Sequence, residues 1–186
     1  SQPIPSYTVM GNIPDSTFNG KTVYIFDRDK GQNIDSAVIE NGAFTFTGQI
    51  DTAVLCLTQV GRKYYTTFML ENGTIQLNME TPNSASGTPL NETFRSNIQE
   101  EKRISDLFQN KMKEIREQEQ DKSKVQELTK TYYDNEYKPA YMAILKDFID
   151  KNQDNYIGAF ALQNLSNFMN PEEMESIIAQ SSAFIQ

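Results

Sequence analysis

The sequence predicts an α+β fold, with an N-terminal antiparallel β-sandwich or curved sheet of about seven strands and a C-terminal helical segment of about four helices. Three observations carry this expectation. Eight of the nine glycines lie at or before Gly87. Up to about Met79 apolar and polar residues alternate between regularly spaced turn signals, the pattern of half-buried strands. Beyond Pro89 the apolar positions recur at three-to-four spacing instead, as on one face of a helix.

Taken in order, the alternation predicts strands at Tyr7–Ile13, Thr22–Phe26, Asp35–Glu40, Ala43–Gly48, Val54–Val60, Lys63–Leu70 and Thr74–Met79. Asn41-Gly42 suits a two-residue hairpin turn, because both residue types tolerate positive φ. Gly61-Arg62 and Asn72-Gly73 read as two further tight connections. The loop from Thr81 to Pro89 is rich in small and turn-forming residues and ends the strand region.

In the helical half, Phe94, Ile98, Ile104, Leu107, Phe108, Met112 and Ile115 mark a first helix from Leu90 to about Gln118. A second runs from Lys124 to Asp150, and Pro139 is expected to kink or split it between Asn135 and Lys138. Asp154 and Asn155 begin a shorter helix that includes Leu162 and Leu165. Asn170-Pro171-Glu172-Glu173 combines an N-cap, a proline at the first helical position and Glu at the third, and starts a last helix to about Gln180. The organisation expected is a tether at 1–6, an antiparallel β domain at 7–89 and a helical segment at 90–186. The opening SQPIPSYTV lacks an initiator Met and reads as a short flexible tether before the first strand, as expected after a processed leader or where a longer chain was cut.

Composition narrows the chemistry. The net charge is -8, from 25 acids against 17 bases, which disfavours nucleic acid and anionic membrane surfaces. No stretch approaches the roughly 20 apolar residues that span a bilayer. Histidine is absent, which removes the commonest general base and metal ligand. The single cysteine, Cys56, excludes a Cys-x-x-Cys pair within the sequence. It lies in the apolar run Val54-Leu55-Cys56-Leu57 and reads as a buried small hydrophobe with a raised pKa. Neither a glycine-rich phosphate loop nor a nucleophile elbow occurs. The expectation is a chain with no catalytic residues, no cofactor and no metal.

Two patterns invite a binding role. Asp27, Asp29 and Asp35 stand at positions one, three and nine of an acid-rich stretch, but Val38 replaces the Glu that a calcium loop needs at twelve. A solvated strand connection is the better reading. Tyr133, Tyr137 and Tyr141 follow a four-residue step and form one stripe on a helix. Such a stripe packs on the sheet or faces a partner, since tyrosine suits surfaces that are apolar at one end and wet at the other. With Tyr64 and Tyr65, read as exposed aromatics, these residues form the candidate interaction surface, for a protein or glycan ligand.

The segments Tyr7–Ile13, Gly20–Ile25, Ile34–Val38 and Gly42–Gly48, followed by Phe68-Met69-Leu70-Glu71-Asn72-Gly73 and Ser86-Gly87-Thr88-Pro89-Leu90-Asn91, resemble the domain of unknown function 4369. The likeness covers the strand portion to about Asn91, and the helical remainder is similar to the connecting segment after it. In that family the domain precedes a thioredoxin-like module in envelope proteins of Bacteroidetes. The resemblance therefore implies an accessory domain of an exported or lipid-anchored thiol-disulfide oxidoreductase in the periplasm or cell envelope. The matched residues are scaffold residues, so no catalytic role comes with them. The Trp-Cys-x-x-Cys segment of such a module is not in this sequence, so either the chain was cut before the module or the protein never had one; Ala183-Phe184-Ile185-Gln186 reads as a linker entrance and favours the first. The alternative is a ligand-binding sandwich module, for glycans or peptides, acting independently of redox chemistry.

Overall fold

A computed structural model describes residues 3–182 and 184–185. The tether reading thus falls in part, at residues 1–2, outside the described residues, as the linker reading does at residues 183 and 186. The chain forms two compact units that divide between Ser96 and Asn97. Among the described residues, seven strands build two sheets in the first unit and helices follow, so the fold is α+β.

The strands are β1 (Tyr7–Asn12), β2 (Thr22–Asp27), β3 (Gln32–Val38), β4 (Ala43–Gly48), β5 (Val54–Val60), β6 (Tyr64–Leu70) and β7 (Gly73–Gln76). One sheet has the order β4-β1-β7 and the other β3-β2-β5-β6. Between them lies a core in which Val9, Ile25, Phe46, Phe68, Leu70 and Ile75 are fully buried. The Asn-Gly turn forms as expected: Asn41 and Gly42 have φ of 52° and 77°. Glu40 and Ala43 exchange backbone bonds of 2.8 and 2.9 Å across it. Gly42 has a second reason to lack a side chain, since a Cβ there would meet the Ile13 carbonyl oxygen at 2.7 Å.

Three expectations about the strands need correction. The sheets are not antiparallel throughout, because β1 and β7 pair in parallel. The short link Glu71-Asn72 carries the chain from the end of β6 in one sheet to β7 in the other, beside β1. β3 starts and ends earlier than the alternation suggests. A bulge leaves Asp35 opposite Ile25 and Asn33 opposite Phe26, so the inward parity changes within the strand. β7 ends at Gln76 rather than Met79, where the chain turns back and Gln76 bridges to Ser86.

A polar contact between strands links the two sheets. The Tyr7 hydroxyl on β1 donates to Asp35 Oδ2 on β3 at 2.6 Å, while Asp35 Oδ1 accepts from the Ser36 amide. Gly48, opposite Tyr7 in the β1–β4 pair, makes room for it: a Cβ there would lie 2.5 Å from the Tyr7 hydroxyl.

Helix α1 (Pro89–Gln118) is fastened at its start to β6, the edge of the four-stranded sheet. The buried Asn91 carboxamide accepts from the Met69 amide at 2.8 Å and donates to the Met69 carbonyl at 2.7 Å and to Thr88 Oγ1 at 2.8 Å. Glu71 accepts from the Leu90 amide at 2.8 Å. An asparagine side chain has the donor and acceptor of a peptide unit, so it completes the edge as a further strand residue would.

In the second unit, α2 (Lys122–Tyr132) is capped by Asp121 and passes through a π-helical turn (Tyr133–Tyr137) into α3 (Lys138–Lys151). The predicted disturbance before Pro139 is thus a widening and not a break. Proline clashes with the carbonyl four residues back, and the wide turn, in which the Lys138 amide bonds the Tyr133 carbonyl, absorbs that clash while the helical run continues. Helix α4 (Tyr156–Leu165) is capped by Asn155, and α5 (Pro171–Gln180) opens with the capping box of Asn170 and Glu173 that the sequence predicts. Leu145, Ile149, Ala161 and Leu165 lead the core of this unit. Among the described residues no helix is long and apolar enough to cross a membrane.

Asn91→Ala strands the Met69 N–H and C=O at a buried site, at roughly 1–3 kcal/mol for each unsatisfied group. The expected outcome is a loss of about 3 kcal/mol in the urea unfolding free energy, and of at least about as much in Asn91→Asp, which buries a charge without restoring the donors.

Candidate interaction surface

Cys56 sits in the middle of β5 with no exposure, its backbone paired with Asp27 on one side and Phe68 on the other. Burial, reinforced by the nearby Asp27 carboxylate, pushes its thiol up to about 12. The thiolate needed for exchange chemistry is disfavoured at this site. Asp27 itself ends β2, and its Oδ1 accepts from the Asp29 and Lys30 amides at 2.9 Å each. That carboxylate holds its own turn, and residues 32–35 of the acid-rich stretch are strand rather than loop. No group of three or more metal-ligating side chains converges among the described residues.

The two adjacent tyrosines of β6 part company. Successive strand residues face opposite sides, so Tyr64 points into the core at 5% exposure while Tyr65 is 44% exposed. Tyr64 is therefore not a surface aromatic. Phe18 packs edge-on against it and Lys63 lies over its ring.

The stripe lies on the helical unit and its members are half-buried. Tyr137 is central: its ring centroid is 4.6 Å from Phe108 of α1, 5.6 Å from Tyr133 and 6.0 Å from Tyr141, which it overlies at 14°. Tyr141 reaches Phe168, just after α4, at 5.2 Å. The three tyrosines thus join α1, the π turn, α3 and the segment after α4 in one aromatic ladder. Phe108 is legible from the helical spacing of α1; Phe168 lies in no periodic stretch and is found only from the structure.

Glu101 on α1 stands beside this ladder. Burial raises its carboxyl above the usual range, against the pull of a long 3.4 Å bond donated by the Tyr141 hydroxyl. Burial, then the Glu101 charge, lifts Tyr141 to about 12, and burial also raises Tyr137. Farther along, an open cleft of about 500 Å3 has Ile115, Leu128 and Tyr132 as its apolar lining, with Lys111, Glu114 and Glu136 around them. The arrangement offers apolar ring faces and hydroxyls, which suits contact with a partner surface.

Residues 7–94 match the family described as Domain of unknown function (DUF4369). No curated protein and no solved structure matches the chain. The match ends just past the Asn91 fastening, and two of the segments that resemble the family, 68–73 and 86–91, are the two that this fastening joins.

Two outcomes follow from the titrating groups. The folded Cys56 thiol holds its proton to about 12, whereas an unfolded one releases it near 8.5. The native state therefore binds more protons across that window, and stability falls as pH rises through it. Cys56→Ala is expected to flatten this alkaline decline, and native protein at pH 8 should react with an aromatic disulfide reagent only on unfolding. For Glu101 the folded value is also raised, so its contribution is intact below the unfolded carboxyl value near 4.3 and fades above it. Glu101→Gln should raise the thermal midpoint at pH 7 and leave it unchanged, or lower it, at pH 4.

Proposed function

We propose, from the membership of residues 7–94 in the domain of unknown function 4369 family, that this chain is a non-catalytic accessory segment of a cell-envelope thiol-disulfide oxidoreductase. In this reading it is exported or lipid-anchored, and it positions a thioredoxin-like module or binds that module's partner. The observation that supports it most is the state of the only thiol: Cys56 is fully buried, mid-strand, and pushed up to about 12. A thiol so placed is a packing group, which leaves redox chemistry to a separate module. The family-like residues fit a scaffold role, since Asn91, Glu71 and Gly87 serve hydrogen bonds that close the fold. The aromatic ladder on the helical unit is the surface this reading offers to the partner.

Insulin reduction by dithiothreitol tests it. The expected result is turnover equal to the control without protein, and turnover above that control overturns the non-catalytic reading. The redox association is tested by the native reading frame. Continuation into a segment bearing Cys-x-x-Cys supports it, and a stop codon directly after Gln186 overturns it.

A further inference from the structure

The outer face of the four-stranded sheet carries a row of side chains that extends from the exposed Tyr65 across the neighbouring strands. Tyr24 is paired with Ser36 on β3, and Gln59 with Tyr65 on β6. β2 and β5 run antiparallel, with Phe26 opposite Leu57, Asp27 opposite Cys56 and the Arg28 amide bonding the Leu55 carbonyl. Two residues along the same register, Tyr24 falls level with Gln59. One row, Ser36-Tyr24-Gln59-Tyr65, thus crosses all four strands. With strands about 4.8 Å apart, the two tyrosines stand roughly 10 Å from each other with the amide between them.

These rings are exposed at 45% and 44%, Ser36 and Gln59 are also exposed, and the half-buried Phe26 and Leu57 flank the row on the same face. Gln59 spends one amide hydrogen on the Gly61 carbonyl at 3.0 Å, which holds the side chain in place. Its carbonyl oxygen and second hydrogen remain for a ligand. None of these six side chains is charged, on a chain whose net charge is -8.

We infer that this row is a binding platform for an uncharged polysaccharide. The C–H face of a pyranose ring packs on an aromatic face, while its hydroxyls need donors and acceptors in the plane between the rings; two exposed tyrosines flanking a fixed amide supply both. The absence of charge matches a neutral chain and gives no selectivity for acidic or basic ligands. An extended peptide would be recognised by backbone bonds at a sheet edge, or by anchors in a groove, rather than on an open sheet face. The inference rests on the sheet alone, so it stands or falls apart from the redox reading.

Affinity electrophoresis of the full chain through gels containing dextran, xyloglucan, glucomannan or mixed-linkage β-glucan tests it. Retardation by at least one of them is expected, with the apparent affinity weakened about tenfold in Tyr24→Ala and in Tyr65→Ala. Tyr24→Phe, which keeps the ring, should retain most of the binding. Circular dichroism and thermal midpoints separate lost binding from lost folding. The inference is overturned by no retardation in any of the four gels, by retardation unchanged in both alanine variants with native folding, or by binding to a random peptide library that competes with the polysaccharide.

Discussion

The carboxamide of Asn91, bonded to both backbone groups of Met69, is the constraint on which the rest of the structure depends. An edge strand leaves unpaired N–H and C=O groups that must be met or left to water. Here one side chain meets both and in doing so fixes the residue at which the sheet ends and the first helix begins. Neighbouring contacts repeat the link. Glu71 holds the Leu90 amide, and Gly73 leaves space against Thr88 where a Cβ would meet the methyl group at 2.8 Å. The family likeness of segments 68–73 and 86–91 therefore has a physical content: the two form the halves of a closure.

Two carboxylates of the strand unit are held in the same way. Asp35 answers Tyr7 from the opposite sheet and the amide of its own neighbour, and Asp27 answers two amides of its turn. Burial and the bond to Asp35 both hold the Tyr7 hydroxyl in its neutral form. These two carboxylates are committed to structure and the thiol of Cys56 is enclosed in the same unit.

Much of this was legible in the residues. Alternation found the seven strands, Asn41-Gly42 found its turn, and Asn170 with Glu173 found the start of α5. What escaped has definite causes. Periodicity gives two possible faces for a strand but not which one meets the core, so adjacent tyrosines at 64 and 65 could not be told apart. The bulge in β3 reverses parity midway, and any reading by twos then shifts its ends. The parallel pairing of β1 with β7 joins segments far apart in sequence and leaves no local trace. Tyr24 was hidden because Val23-Tyr24-Ile25-Phe26 is apolar or aromatic throughout, so the period does not mark which side chains face outward. Helical spacing revealed the tyrosine stripe, yet its companion Phe168 sits in a turn with no period to read.

The π turn between α2 and α3 also governs how that stripe is aligned. In a regular helix, residues four apart drift round the axis by roughly 40° at each step, so three such tyrosines would spiral away from one another. A wider turn rotates the chain less per residue, and within it the Tyr133 and Tyr137 rings lie 5.6 Å apart, tilted at 30°. Tyr137 and Tyr141, one step on into the regular helix, lie nearly parallel at 14°. A π turn amounts to one residue more than an α-helix needs in the same span. Removing that residue would turn Tyr133 by roughly 100° against Tyr137 and Tyr141. The length of the chain at this turn, as well as the identity of its side chains, thus decides which ring joins the ladder.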